Sequence, residues 1–341
     1  MRPTVKDVAA QAGVSPKTVS NVLTGTAFVR PATRERVEAA IEDLGYVPNF
    51  SARGLRNGRS GVVALALPDL STPYSAEFAH HFVEVAHGLD WAVHIEETAA
   101  EPRRERDLLS RARSHLVDGL VLNPVTLADS AVAESADTDG VLPPTVIIGE
   151  VVQDRVDQVQ VDSVGGARDM TEHLLARGAR RIAVVGAPTG LDTAAARQRT
   201  DGYREALRRA GVAWDPALEI GVRAWRAQEA VAAVDRALEL PEPPDAYFCF
   251  TDSLAVGALN ALWRRGVRVP DDVLVAGFDD VADGRLAVPP LTTVAFDKRE
   301  LAVQALTALA VRIDDPDAPR RSVVVPHAVV GRASTGAPGG E

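Results

Sequence analysis

Lys17 and Asn21 stand four positions apart in Ser15-Pro-Lys-Thr-Val-Ser-Asn21, with small or polar neighbours and no acid between them. Those residue types can read base edges. A lysine ammonium reaches the acceptors of guanine, and an asparagine amide pairs with adenine through two hydrogen bonds. Taken singly, each is equally at home as an ordinary solvated position. Covalent chemistry finds no comparable constellation. The one cysteine, Cys249, lies in an apolar run, without a second thiol for a disulfide or a metal pair. His80, His81 and His87 share one helical stretch but lack the HExxH spacing of a zinc site. No Gly-x-Ser-x-Gly turn, Walker loop or GxGxxG follows an expected strand, so neither cofactor nor catalysis is expected.

The elements that must hold Lys17 and Asn21 are short. Thr4 can cap a first helix, with Asp7 three residues on as a partial capping box. Val5, Val8, Ala9 and Ala12 recur at helical spacing, and Gly13 ends the run. Ser15 suits the N-cap of a second helix, and Pro16 suits its first position, where a missing N–H costs nothing. Val19, Val22 and Leu23 point inward, leaving Pro16, Lys17, Ser20 and Asn21 outside. A third helix over 32–44 buries Val37, Ala40, Ile41 and Leu44 and stops at Gly45. This is a helix-turn-helix, whose second helix can enter the major groove.

Charge divides in the same place. Residues 1–60 carry nine Lys/Arg and five Asp/Glu, or +4; the chain holds 37 and 47, leaving 28 against 42, or −14, for the rest. An acidic body repels DNA, so binding is expected at the basic end and should weaken with salt. Next comes Asn49–Arg59, with three arginines, two glycines and little apolar surface. It is too short to hold a helix alone, and Gly54 weakens it further. A plain linker is one reading of it.

From Gly61 onward apolar runs alternate with amphipathic stretches. The runs are 62–67, 92–95, 119–122, 145–148, 182–185, 246–250 and 273–278; helical stretches include 164–177, 199–210, 252–265 and 298–312. This alternation implies parallel sheets with helices on both faces. The expected fold is therefore an N-terminal all-α helix-turn-helix domain plus an α/β domain of two doubly wound lobes. Ligands in such sheets sit beyond the carboxyl ends of strands, so two facing lobes would form a cleft. No run approaches 18 apolar residues and Met-Arg-Pro-Thr begins no apolar leader, so the expectation is a soluble, cytoplasmic, nucleoid-associated chain without membrane contact.

Val5-Lys-Asp-Val-Ala, Ala12-Gly-Val-Ser, Thr18-Val-Ser, Thr33-Arg-Glu-Arg-Val and Leu44-Gly-Tyr-Val-Pro-Asn49 together resemble the LacI/GalR (lactose-repressor) family of bacterial transcription regulators. The resemblance runs the whole length. It implies a DNA-binding domain over 1–48, a hinge over 49–60, a two-lobed ligand-binding and dimerisation domain over 61–332 and a tail over 333–341. Lobe one would take 61–161 and 293–320; lobe two would take 162–292 and 321–332. The lobes resemble periplasmic sugar-binding proteins, with three chain crossings between them. The tail lacks heptads, so a homodimer is expected rather than a tetramer.

The resemblance also assigns roles. Thr4, Ser15, Pro16, Lys17, Thr18, Ser20 and Asn21 would face operator double-stranded DNA, with Thr33 and Asn49 beside them. The Asn21 position is commonly Arg in the family, and Arg30-Pro31 replaces a Ser-type cap, leaving Arg30 for a phosphate. Leu55 would wedge into the central minor-groove step, flanked by Arg53 and Arg56 on phosphates, in a hinge helix formed only on DNA. In the cleft, strand ends and resemblance select Asp69, Tyr74, Arg199, Trp225, Asp252, Asp279 and Phe296. Asp280 is expected to be structural, and Gly149-Glu150 occupies the place of a ligand Asp in some members. Carboxylates that accept hydroxyl hydrogens, a planar Arg fork and an aromatic face suit a sugar. The function implied is a repressor of a carbohydrate operon, released from a pseudo-palindromic operator by a small sugar-like effector. A co-repressor-dependent regulator of another metabolite and a pure sugar-binding module stay open.

Overall fold

The computed structural model describes residues 3–24, 27–46, 59–113, 116–125, 132, 142–151, 153–189 and 192–336. Two compact units divide at Gly61 and Val62. The first contains α1 (Val5–Ala12), α2 (Pro16–Thr24) and α3 (Pro31–Leu44). The Asp7 carboxylate accepts hydrogen bonds from both the Thr4 backbone N–H (2.8 Å) and the Thr4 hydroxyl (2.7 Å), tying off the start of α1. Gly13 closes that helix at φ +62°, a left-handed turn that a side chain resists. The Ser15 hydroxyl caps α2 by accepting from the Thr18 N–H at 3.1 Å. Helix α3 starts one residue earlier than expected, because Pro31 supplies a preset φ at its first position. Val8, Val19 and Val37, one from each helix, are fully buried against one another in a small core.

The second unit holds two six-stranded sheets. The first comprises β1 (Val62–Leu67), β2 (Ala92–Glu97), β3 (Gly119–Leu122), β4 (Thr145–Ile148), β5 (Asp157–Val161) and β11 (Ser322–Val325), ordered β11-β5-β4-β3-β1-β2. Every pairing is parallel. Helices α4 (Pro73–Gly88) and α5 (Pro102–Arg113) follow β1 and β2. Alternation along β1 sorts the two faces. Val63, Leu65 and Leu67 pack with Phe78 and Phe82 of α4, whereas Ala64 and Ala66 face Leu108 and Leu109 of α5. Strands buried on both faces read as continuous apolar runs, which is why they are visible in the sequence.

The second sheet comprises β6 (Ile182–Ala187), β7 (Glu219–Gly221), β8 (Ala246–Cys249), β9 (Leu274–Phe278), β10 (Thr292–Phe296) and β12 (His327–Val330), ordered β12-β10-β9-β8-β6-β7. Only the edge strand β12 runs antiparallel. One face carries α6 (Ser163–Ala176) and α7 (Ala194–Ala210); the other carries α8 (Ala227–Ala237) and α9 (Asp252–Arg264). Short α10 (Ala282–Leu286) follows β9, and α11 (Lys298–Asp314) packs on the first sheet. Cys249 is buried, as a small core residue would be.

The chain crosses between lobes near Asp162, Asp297 and Pro326. Two segments lie in the opposite lobe from that expected. Residues 293–296, assigned to lobe one, pair with β9 as part of β10 in lobe two. Ser322–Val325, assigned to lobe two, pairs with β5 in lobe one, so only β12 returns. An apolar run carries no mark of which sheet will accept it; register against a neighbour settles that. Strand β5 was not anticipated, because Asp157 and Gln158 interrupt its apolar pattern. Gln158 is nonetheless buried, its amide donating to the Gly149 and Val151 carbonyls. Helix α7 begins five residues before the expected Arg199, because Thr193 caps it by accepting from the Ala196 N–H at 3.0 Å. No helix among the described residues is long and apolar enough to cross a membrane.

Candidate functional site

In the helical unit, α2 turns its first residues outward. Ser15, Pro16 and Lys17 are exposed, while Thr18, Ser20 and Asn21 are partly buried. Thr4 and Arg30 are exposed and Thr33 is partly buried. Ser15 and Thr18 also hydrogen-bond each other through their hydroxyls at 2.9 Å, which pins both at the helix start. Asn49, Arg53, Leu55 and Arg56 lie outside the described residues.

Between the lobes of the second unit lies a cavity of about 380 Å³. Parallel strands deliver its polar groups by one rule, a position just past the carboxyl end. Asp69 follows β1, Asn123 follows β3, Gly149 and Glu150 follow β4, Thr251 follows β8 and Asp279 follows β9. Of the seven cleft residues expected from the sequence, Asp69, Tyr74, Arg199, Trp225, Asp279 and Phe296 line this cavity together. Asp252 does not. Its carboxylate is fully buried, accepting from the Thr293 hydroxyl at 2.6 Å and the Val281 N–H at 2.9 Å. It borders only a smaller neighbouring hollow, and its neighbours Thr251 and Ser253 face the main cavity instead. Burial and the charge of Asp279 hold the Asp252 carboxyl well above the usual carboxylate range. Its work is structural: it clamps β10 to the β9–α10 corner.

Arg199 is the hub. It is 5% exposed, and its guanidinium donates to the Phe250 carbonyl, to Ser163 Oγ at 3.4 Å and to Glu150 Oε1 at 3.5 Å. It lies over the Phe278 ring, 3.6 Å from the centroid, and 5.3 Å from that of Trp225. Asp279 Oδ1 stands 4.0 Å from Arg199, and no hydrogen-bond donor among the described residues reaches that carboxyl group. Burial pushes the Asp279 carboxyl up to about 7, against the pull of Arg199 and Lys298; Glu150 and Glu77 push the same way as burial. Its backbone sits at φ +111°, an unusual region for a side-chain-bearing residue. Strain of that kind gathers where geometry serves a site. Lys298 props the turn by donating to the Asp279 and Asp280 carbonyls. Asp280 is held by Arg285 and Arg332, as a structural residue should be.

Aromatic walls complete the cavity. Tyr74 meets Phe296 edge-on with centroids 6.1 Å apart, and Trp225 meets Phe250 edge-on at 6.4 Å. The Trp225 Nε1–H is buried with no acceptor, a donor without a partner inside the protein. Burial raises the Tyr74 hydroxyl far above its ordinary range, so it stays a neutral donor. At the rim, Asp69 uses both oxygens. One accepts from the Ser71 N–H (2.9 Å) and hydroxyl (2.6 Å), the other from Arg226 Nε (3.1 Å) and Nη2 (2.7 Å) across the cleft.

Glu97, Asn123, Thr193, Ser253 and Arg226 also line the cavity and were not singled out from the sequence. Glu97 was missed because β2 runs two residues past the expected Ile95. The strand-end rule alone would have found Asn123. No group of three or more His, Cys, Asp or Glu among the described residues could hold a metal ion.

Known proteins share both parts. The model for bacterial regulatory proteins of the lacI family matches residues 4–49, and that for a periplasmic binding protein-like domain matches residues 171–335. The HTH-type transcriptional repressor CytR of Escherichia coli (strain K12) is 31% identical over 308 residues, covering 90% of this chain and 88% of CytR. The lac repressor dimer bound to operator and the anti-inducer ONPF superposes with a TM-score of 0.83 at 27% identity, covering 99% of this chain and 100% of that one. The complex of the transcriptional regulator CelR with cellobiose gives a TM-score of 0.71 at 30% identity, covering 98% and 100%.

Proposed function

We propose, on the premise that this chain belongs to the LacI family and is a DNA-binding transcriptional repressor, that it holds a pseudo-palindromic operator as a homodimer and lets go when a small sugar-like effector fills its cavity. The regulated genes in this reading serve carbohydrate uptake or catabolism. Regulators of this family are not enzymes, and neither is this chain.

The observation that carries the reading is the outward, acid-free start of α2 on a closed three-helix core. Lys17, Ser20 and Asn21 contact base edges in the major groove. Thr4, Ser15, Pro16, Thr18, Arg30 and Thr33 set its register on the backbone, and phosphate contacts of this kind position without specifying. Asn49, Arg53, Leu55 and Arg56 belong to a hinge that orders on DNA, with Leu55 prising open the central step. The lac repressor complex, a dimer on operator, supports the two-fold arrangement.

In the cavity, Asp279 and Glu150 accept sugar hydroxyls, Arg199 orients Glu150, and Tyr74, Trp225 and Phe296 cover the apolar ring face. Asp69 shapes the rim through Arg226. CelR bound to cellobiose supports a carbohydrate in such a cleft. An effector that weakens operator binding must itself bind the operator complex more weakly by the same factor.

The test is Leu55→Ala in the full chain. Operator affinity should fall at least ~10-fold, since unstacking a step is worth a few kcal/mol, with effector affinity unchanged. Equal operator binding by variant and parent would refute the hinge reading. Footprinting upstream of the chain's own gene should show a protected palindrome, and no protection under any metabolite condition would refute the operator reading.

A further inference from the structure

The charge of the cavity carries a conclusion about its ligand. Four acids line it, Asp69, Glu97, Glu150 and Asp279, against two arginines, Arg199 and Arg226. Both arginines are already engaged. Arg226 gives a two-nitrogen contact to Asp69, and Arg199 spends its donors on Phe250, Ser163 and Glu150. Glu97 accepts only the Leu70 N–H at 2.9 Å in the described residues, with no cation beside it. Asp279, 4% exposed, faces the cavity without a hydrogen-bond donor. The lining thus offers acceptors in excess and holds no uncommitted cation among the described residues.

We infer that this cavity admits an uncharged or amine-bearing polyol and rejects its phosphorylated or carboxylate counterpart. The inference rests on the reading of this cavity as the effector site. An entering anion would meet the fields of Glu97 and Asp279 in a site partly cut off from water, and it would find no guanidinium fork free to grip it. A hydroxyl or ammonium group supplies what the site lacks, a hydrogen for Asp279. The signal is therefore a compound that stands ahead of a phosphorylating or oxidising step, as its substrate, and not the product of that step.

The experiment is a thermal-shift and calorimetry series on the full-length protein. Glucose, galactose, cellobiose, maltose and related sugars are each paired with their amino, phosphate-ester and sugar-acid forms. Uncharged or amine-bearing compounds should bind at least ~30-fold more tightly than their anionic counterparts, the factor for an anion about 8 Å from one unopposed carboxylate at an effective dielectric near 20. Asp69→Asn frees Arg226 and removes one acid, so it should narrow that ratio to ~10-fold or less. A phosphate or acid form binding the parent as tightly as its neutral counterpart overturns the inference and leaves the effector-site reading standing. If compounds of every charge class fail to bind, the effector-site reading falls, and this inference with it.

Discussion

Asp279→Asn puts the electrostatics of the cavity to the sharpest test. The Asp279 carboxyl sits at about 7 in the folded chain against an ordinary 3.8, chiefly because it is buried. Each unit is worth about 1.4 kcal/mol, so ionising this group in place costs on the order of 4 kcal/mol. A raised acid makes the folded state hold its proton more tightly than the unfolded chain does. The stability this contributes is complete below about pH 4 and is lost as pH rises through about 7, the folded value. Asparagine cannot ionise, so the variant escapes that loss. It should match the parent near pH 4 and exceed it at pH 8, by several degrees in Tm or by a clear rise in urea midpoint. Ligand binding should move the opposite way. One acceptor oxygen becomes an NH₂, and a hydrogen bond to a charged group is worth about 1.5–3 kcal/mol. Any compound that stabilises the parent should bind the variant ~10- to 100-fold more weakly. Urea unfolding followed by circular dichroism from pH 4 to pH 8 reads the first effect, and calorimetry reads the second. A parent–variant gap that does not widen with pH would refute the burial argument; an unchanged isotherm would remove Asp279 from the site.

Two further outcomes test the frame around the sites. Gly257→Ala should destabilise the second unit by about 1–3 kcal/mol, because a Cβ there would sit 2.1 Å from the Ala227 carbonyl oxygen, where α9 meets the start of α8; an unchanged urea midpoint would contradict that close approach. Lys17→Ala should leave the three-helix unit folded, since the side chain is exposed, yet change the base preference found by selection from random DNA. An identical selected motif would take Lys17 off the base edges.

Much of the site could be read in advance because parallel sheets announce their strands. Val62–Leu67 and Gly119–Leu122 are buried on both faces, so each is one unbroken apolar run with its carboxyl end in plain view. The residues just past those ends became the cavity wall. Asp252 was misjudged for an instructive reason. It too follows a strand, but it is the first residue of α9, and the fold points its carboxylate back toward Thr293 and Val281. Arg199 appeared as one arginine among many, and nothing local distinguishes it from Arg197, two positions earlier. The helix phase buries one and exposes the other, leaving Arg197 on Asp192 at the surface. Glu97 and Arg226 escaped notice because each depends on a long-range partner, Leu70 for one and Asp69 for the other.

The chain's own order of residues was enough to determine its three capped helices, the acid-free face of α2, the basic front and acidic body, and the alternation that makes parallel sheets. All of these depend on neighbours within a few positions, where propensity, capping and periodicity act. Tertiary structure alone decided which lobe receives Thr292–Phe296 and which receives Ser322–Val325, and which carboxyls keep an open lone pair. Those outcomes depend on contacts between groups tens to hundreds of residues apart. Pairing register and burial settle them, and neither leaves a trace in local sequence.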